Sequence, residues 1–210
     1  MTAVGSTPTQ DGPEAAVTTM DLFAPDRVRL DEVANLRELR DDLVRAAYQR
    51  RTVQLSSGVS QPYYFDKYVM TSRPSILRRI GRLLAARVPH DTDRLAAPTL
   101  GAVAVGTAVS LETGLPLLIV RTTVDPDRQV RAVEGGLHEG ESVCLVEDVV
   151  VTGSRAMTAV QRLRDAGAQV SSLLCVLDCE HGADVRIAAA GIRYEPLFSY
   201  SALSLPAAHS

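Results

Sequence analysis

Residues 146–160 read VEDVVVTGSRAMTAV. An apolar run encloses two adjacent acids, Glu147 and Asp148, and stops at the small-residue turn VTGS at 151–154. Helical spacing takes over across 154–166, with Ala156, Val160 and Leu163 on one face and Gly167 as a stop. A strand that is apolar almost without interruption is buried on both faces, which is the condition of a strand inside a parallel sheet. Two carboxylates set into it therefore need a reason.

Outward from this unit the pattern alternates. RLAAP at 94–98, PLLIV at 116–120, SVCLVEDVVV at 142–151, VSSLLCVLD at 170–178 and IRYEPLF at 192–198 read as strands. Helical stretches separate them: a small-residue helix over 102–113 ended by Gly114, then 154–166, then 181–190. Two helices precede the sheet. One is capped at Asp31 and carries Leu36, Leu39, Leu43 and Ala46. The other opens at Pro74 and carries Ile76, Ile80, Leu83 and Val88. The segment 121–141 is polar and has neither period. The fold class is therefore α/β, an open and mostly parallel sheet with helices on both faces. In such sheets a ligand sits outside the carboxyl ends of the strands. Residues 1–25 read as a flexible leader and 26–210 as a single domain.

Composition narrows the classes of function. The chain has 210 residues, 46% of them hydrophobic, and a net charge of −3. That charge gives no general attraction to nucleic acid or to an anionic membrane, so anions must be held by a local site. No apolar stretch has membrane-spanning length, and the first residues resemble no export signal, so a cytoplasmic protein is predicted. Cys144, Cys175 and Cys179 make an odd count without zinc-site spacing, and Cys144 and Cys175, inside apolar runs, read as small buried hydrophobes. No direct metal ligand set is predicted. His90, His138, His181 and His209 are scattered and read as solvated.

The chemistry concentrates on 147–154. At a strand-to-helix turn several backbone N–H groups have no helical partner and point outward, and the helix dipole adds to their positive character. A phosphate monoester fits there, with the hydroxyls of Thr152, Ser154 or Thr158 as further donors. GxxxxGK[ST] and GxGxxG are both absent, so this is neither a nucleoside triphosphate loop nor a dinucleotide fingerprint. Paired carboxylates accept hydrogen bonds from neighbouring hydroxyls. A Glu-Asp pair beside a phosphate cup describes a site for ribose 5-phosphate.

VEDVVVTGSRA resembles the phosphoribosyl pyrophosphate (PRPP) motif of type I phosphoribosyltransferases. LSSGVSQPYYFD at 55–66 is similar to the amino-terminal signature of the orotate branch, and TLGAVAVGTAV at 99–109 to its pyrophosphate loop and following helix. The likeness runs from about residue 33 to 203 in the same order. It implies a small amino-terminal hood region beside the sheet. It implies that Glu147 and Asp148 hold the ribose hydroxyls, that Thr152, Gly153 and Ser154 cradle the 5′-phosphate between Val151 and Arg155, and that Thr99, Leu100 and Gly101 line the pyrophosphate side. Arg121 would reach the pyrophosphate, and with Asp148 would carry the catalysis. Tyr64, Phe65, Ser56, Val151 and Cys179 would border the acceptor. The family takes Mg²⁺ with PRPP, held largely by substrate and water. Its substrates are PRPP and orotate, and its usual assembly is a homodimer in which the mobile loop after Arg121 of one subunit serves its neighbour's site.

The departures cluster on the moving parts. Where the branch has lysines and a histidine after Arg121, this chain has Thr122, Asp125 and Asp127; where an arginine pairs with the orotate carboxylate, it has Cys179. Ser56 replaces a lysine, Val151 a threonine that meets the base, and Arg155 a Ser or Thr closing the phosphate loop. Two further readings stay open beside the orotate enzyme: transfer to another heteroaromatic acceptor, and a PRPP-binding regulator or partner subunit.

Overall fold

A computed structural model of the chain describes residues 25–54, 60–61, 63–123 and 131–203. The leader expected over 1–25 lies outside these except for Pro25, and so do Ser56 and the stretch containing Asp125 and Asp127. The chain divides into two compact units, Met1–Leu36 and Arg37–Ser210, and the sheet belongs wholly to the second.

Helix α1 spans Pro25–Ala47, so Asp31 lies within it and does not cap it. Leu39, Leu43 and Ala47 are buried at four-residue spacing, and Ala47 rather than Ala46 completes the apolar stripe. Short antiparallel ladders come next. β1 (Tyr48–Gln49) pairs with β4 (Tyr64–Phe65), and β2 (Val53–Gln54) with β3 (Ser60–Gln61). Asp66 then caps α2 (Lys67–Thr71), its carboxylate accepting from the N–H groups of Tyr68 and Val69 at 3.1 Å each. This one-turn helix is too short to leave a periodic signal in sequence. α3 (Pro74–Ala85) buries Ile76, Ile80 and Leu84; the stripe turns toward Leu84 instead of Leu83, and Val88 lies beyond the helix.

The central sheet has six strands in the order β10-β9-β8-β5-β6-β7. β5 (Arg94–Pro98), β6 (Leu117–Val120), β8 (Ser142–Val150), β9 (Gln169–Asp178) and β10 (Arg193–Ser199) run parallel. β7 (Val133–Glu134) is a two-residue antiparallel edge inside the segment that showed no period. α5 (Ser154–Asp165) and α6 (Ala183–Ala189) cover one face, where Ala156, Val160, Leu163 and Ile187 share a core with Leu145, Leu173 and Cys175. α3 and α4 (Ala102–Thr113) pack together on the other face and bury Ile80, Val105 and Val109.

From β5 the chain goes to β6 on one side and later to β8, β9 and β10 on the other. The strand order thus reverses between β5 and β8, and the crevice at such a reversal is where open α/β sheets bind ligands. The residues leaving those two carboxyl ends are 99–101 and 151–154, with Glu147 and Asp148 in the last residues of β8.

Candidate active site

Glu147 and Asp148 are 6% and 1% exposed, so neither is a solvent-facing charge at a strand end. Side chains alternate along β8. Leu145, and hence Glu147, belongs to the face covered by α5, while Asp148 looks toward α4. Asp148 Oδ1 accepts from the Val149 N–H at 2.7 Å. Its Oδ2 lies 2.9 Å from the Lys67 ammonium, an ion pair that lacks the alignment of a full hydrogen bond. Burial, together with the adjacent Asp148 charge, pushes the Glu147 carboxyl up to about 8, against the pull of Lys67 and Arg155. Glu147 is thereby biased toward its neutral form.

After β8 the chain turns through 151–153, and Gly153 takes φ +74°. A side chain in that conformation costs about 1–2 kcal/mol, which explains glycine there. Met157 is the residue whose N–H returns to Gly153 O, at 2.9 Å. The amides ahead of it, at the first turn of α5, have no partner within the helix, an arrangement that can form a cup for an anion. The hydroxyls of Thr152 and Ser154 stand 3.0 Å apart at its rim. Thr158 does not join them, because its hydroxyl donates to Ser154 O at 3.0 Å.

A cavity of about 600 Å³ unites these parts. It brings together both acids, the cup from Val151 to Arg155, and the acceptor-side residues Tyr64, Phe65 and Cys179. Lys67 and Arg186 also line it, and neither stands out in the sequence. Lys67 directly follows YYFD, and its partner lies far along the chain; Arg186 is a single cation on a short helix. Cys179 is a neutral thiol, since burial pushes it up to about 11. Arg51 stacks over Tyr64, its guanidinium 4.4 Å from the ring centre.

The loop at 99–101 closes against the acids. A Cβ on Gly101 would stand 1.9 Å from Asp148 Oδ2, so only glycine lets the backbone come this near. The Thr99–Leu100 peptide is cis, and Leu100 is exposed. Thr99 O accepts from Thr122 Oγ1 at 3.2 Å and from Arg155 Nη2 at 3.4 Å, so Arg155 reaches from the cup across to this loop. Arg121 does not line the cavity: its Nε lies 3.7 Å from Glu134 on the sheet edge, and its side chain is 44% exposed. Among the described residues no group of three or more His, Cys, Asp or Glu side chains is placed to hold a metal ion. None of the described helices is long and apolar enough to cross a membrane.

The strand order, the reversal at β5–β8 and the cavity at their carboxyl ends define the type I phosphoribosyltransferase architecture. No protein-family model matches the chain. It is 35% identical over 167 residues to the orotate phosphoribosyltransferase of Pyrococcus furiosus, a match spanning 76% of this chain and 92% of that protein. It is 38% identical over 168 residues to that of Halobacterium salinarum, spanning 78% and 95%. The solved structure of Mycobacterium tuberculosis orotate phosphoribosyltransferase in complex with PRPP is similar at TM-score 0.69 and 32% identity, covering 81% of this chain and 99% of that one. The chain belongs to the orotate phosphoribosyltransferase family.

Proposed function

We infer that the protein transfers the phosphoribosyl group of PRPP to orotate, giving orotidine 5′-phosphate and pyrophosphate in pyrimidine nucleotide synthesis. One observation carries this reading: a buried acid pair and an anion cup open into one cavity at the switch point of the sheet. Glu147 and Asp148 accept the ribose hydroxyls. The amides and hydroxyls of 152–154 take the 5′-phosphate, and the 99–101 loop faces the pyrophosphate. A ring nitrogen of the acceptor bonds to the anomeric carbon as its bond to pyrophosphate oxygen breaks, so the residues work by positioning and charge stabilisation, without a covalent nucleophile.

Mg²⁺ suits a site of this composition. The Asp148 carboxylate is a hard oxygen donor, too little for a protein cage but enough to complement an ion carried in on PRPP oxygens. Such an ion neutralises the pyrophosphate charge. The solved relative's binding of PRPP supports the same donor substrate. We also propose a cytoplasmic homodimer, as the family likeness implies.

The test is steady-state turnover of orotate with PRPP and Mg²⁺ by purified protein, followed by pyrophosphate release. Orotidine 5′-phosphate is the expected product, and none above background would reject the assignment. A second reading rests on Cys179, a buried neutral thiol on the acceptor side where a carboxylate partner is needed. A pocket without that partner discriminates poorly in favour of a carboxylate. Turnover with another heteroaromatic acceptor, and not with orotate, would establish it.

A further inference from the structure

Building on the phosphoribosyl-transfer reading, we propose that Lys67 is the resident cation for the departing pyrophosphate, supplied from the wall of the cavity instead of from the loop after Arg121. The first part of that loop carries no cation, and its arginines come only at 128 and 131. Residues 122–127 read TTVDPD, and Arg121 is drawn to Glu134 at the sheet edge. Among the described cavity-lining residues the cations are Lys67, Arg155 and Arg186. Arg155 is directed onto Thr99 O, and Arg186 lies beside the cup, its Cδ 3.5 Å from where a Gly153 Cβ would stand. Lys67 occupies the remaining corner.

Its placement fits the role. The ammonium is 2.9 Å from Asp148 Oδ2, and a Cβ on Gly101 would stand only 2.6 Å from it. It therefore lies between the carboxylate that takes a ribose hydroxyl and the loop that faces the pyrophosphate. A ribose seated on Asp148 through its 2-hydroxyl carries its leaving group on the adjacent carbon, which brings that group to this corner. The side chain is 22% exposed, so it is held by the protein yet open to the cavity. An ammonium has three N–H donors. The contact with Asp148 is an ion pair without hydrogen-bond alignment, so these donors can turn to phosphate oxygens. Because Lys67 opens the capped helix α2 and is paired before substrate arrives, its charge needs no reorganisation during the reaction.

The test compares wild type with Lys67→Met and Lys67→Arg by kcat/KM for PRPP, and by calorimetric binding of two probes, inorganic pyrophosphate and ribose 5-phosphate, each with Mg²⁺. Lys67→Met is expected to lower kcat/KM by about 100- to 1,000-fold and to weaken pyrophosphate selectively, leaving ribose 5-phosphate affinity unchanged. Lys67→Arg, which keeps the charge, is expected to recover pyrophosphate affinity. Unchanged pyrophosphate affinity in Lys67→Met overturns the proposal. So does equal weakening of both probes, which is what a merely loosened Asp148 would produce. The binding arm needs no turnover, so a wild-type protein silent with orotate rejects the activity assigned above, while probe selectivity still decides the role of Lys67.

Discussion

The two sides of the cavity are built differently. The β8–α5 side is continuous in sequence and deeply anchored: Glu147 and Asp148 are buried, and the cup comes directly after them at the start of a helix whose apolar face lies in the core. The opposite side is assembled from separate pieces, namely Tyr64 and Phe65 from a two-residue strand, Lys67 from α2 and Cys179 just after β9, while the 99–101 loop, bonded to Thr122, does not line the cavity and stands against Asp148. Among the described residues, the substitutions relative to the family pattern fall on both sides: Val151 and Arg155 on the first, Cys179 and Thr122 on the second. On the proposed assignment the first side holds the phosphorylated sugar and the second the acceptor and leaving group, so changes on the two sides should act on different steps.

Perturbations of the first side should accordingly cost most. Asp148→Asn removes the charge that pairs with Lys67 and weakens a hydroxyl acceptor, and turnover should fall by about 1,000-fold. A loss below tenfold in a kcat/KM measurement would place the ribose elsewhere. Next comes the junction between the two sides. Gly101→Ala drives a methyl group into Asp148 Oδ2. Displacement on the scale of an ångström costs about 100-fold in rate, and overpacking about 1–3 kcal/mol of stability. Turnover and urea unfolding measured on one preparation check both, and wild-type values for both would contradict the packing described.

The acid pair also has a pH signature. The Glu147 carboxyl is raised from 4.5 to about 8, so the folded state binds its proton more tightly than the unfolded state does. The stabilisation from that proton is complete below pH 4.5 and is lost as pH rises through about 8. Urea midpoints should therefore decline less across that window in Glu147→Gln than in wild type. Parallel declines would show that Glu147 titrates as an ordinary exposed acid. The smallest effect is expected from the loop sequence after Arg121. With Lys67 already supplying charge, Asp125→Lys should raise kcat by no more than about tenfold and leave ribose 5-phosphate binding alone. A larger gain would shift the catalytic charge back to the loop.

Much of the molecule was legible in sequence where a signal is local and long. The parallel strands announce themselves as unbroken apolar runs, and the helix over 102–113 appears with the predicted bounds because Gly114 ends it. The strand, acids and small turn at 146–154 are adjacent, so their joint chemistry could be read directly. What escaped depends on partners remote along the chain or on elements too short to repeat. β7 and α2 fall in the second group. The Lys67–Asp148 pair, the turn of Arg121 toward Glu134, and the approach of Arg186 to Gly153 belong to the first. An exposed arginine has many possible partners, and only tertiary placement chooses among them.

Calorimetric titration of ribose 5-phosphate into wild type and into Asp148→Asn bears most directly on whether the buried acids and the amide cup together seat a phosphorylated sugar. Saturable one-to-one binding to wild type, lost or greatly weakened in the folded variant, is the predicted result. Equal affinity in the two proteins, or no binding to folded wild type, would contradict it.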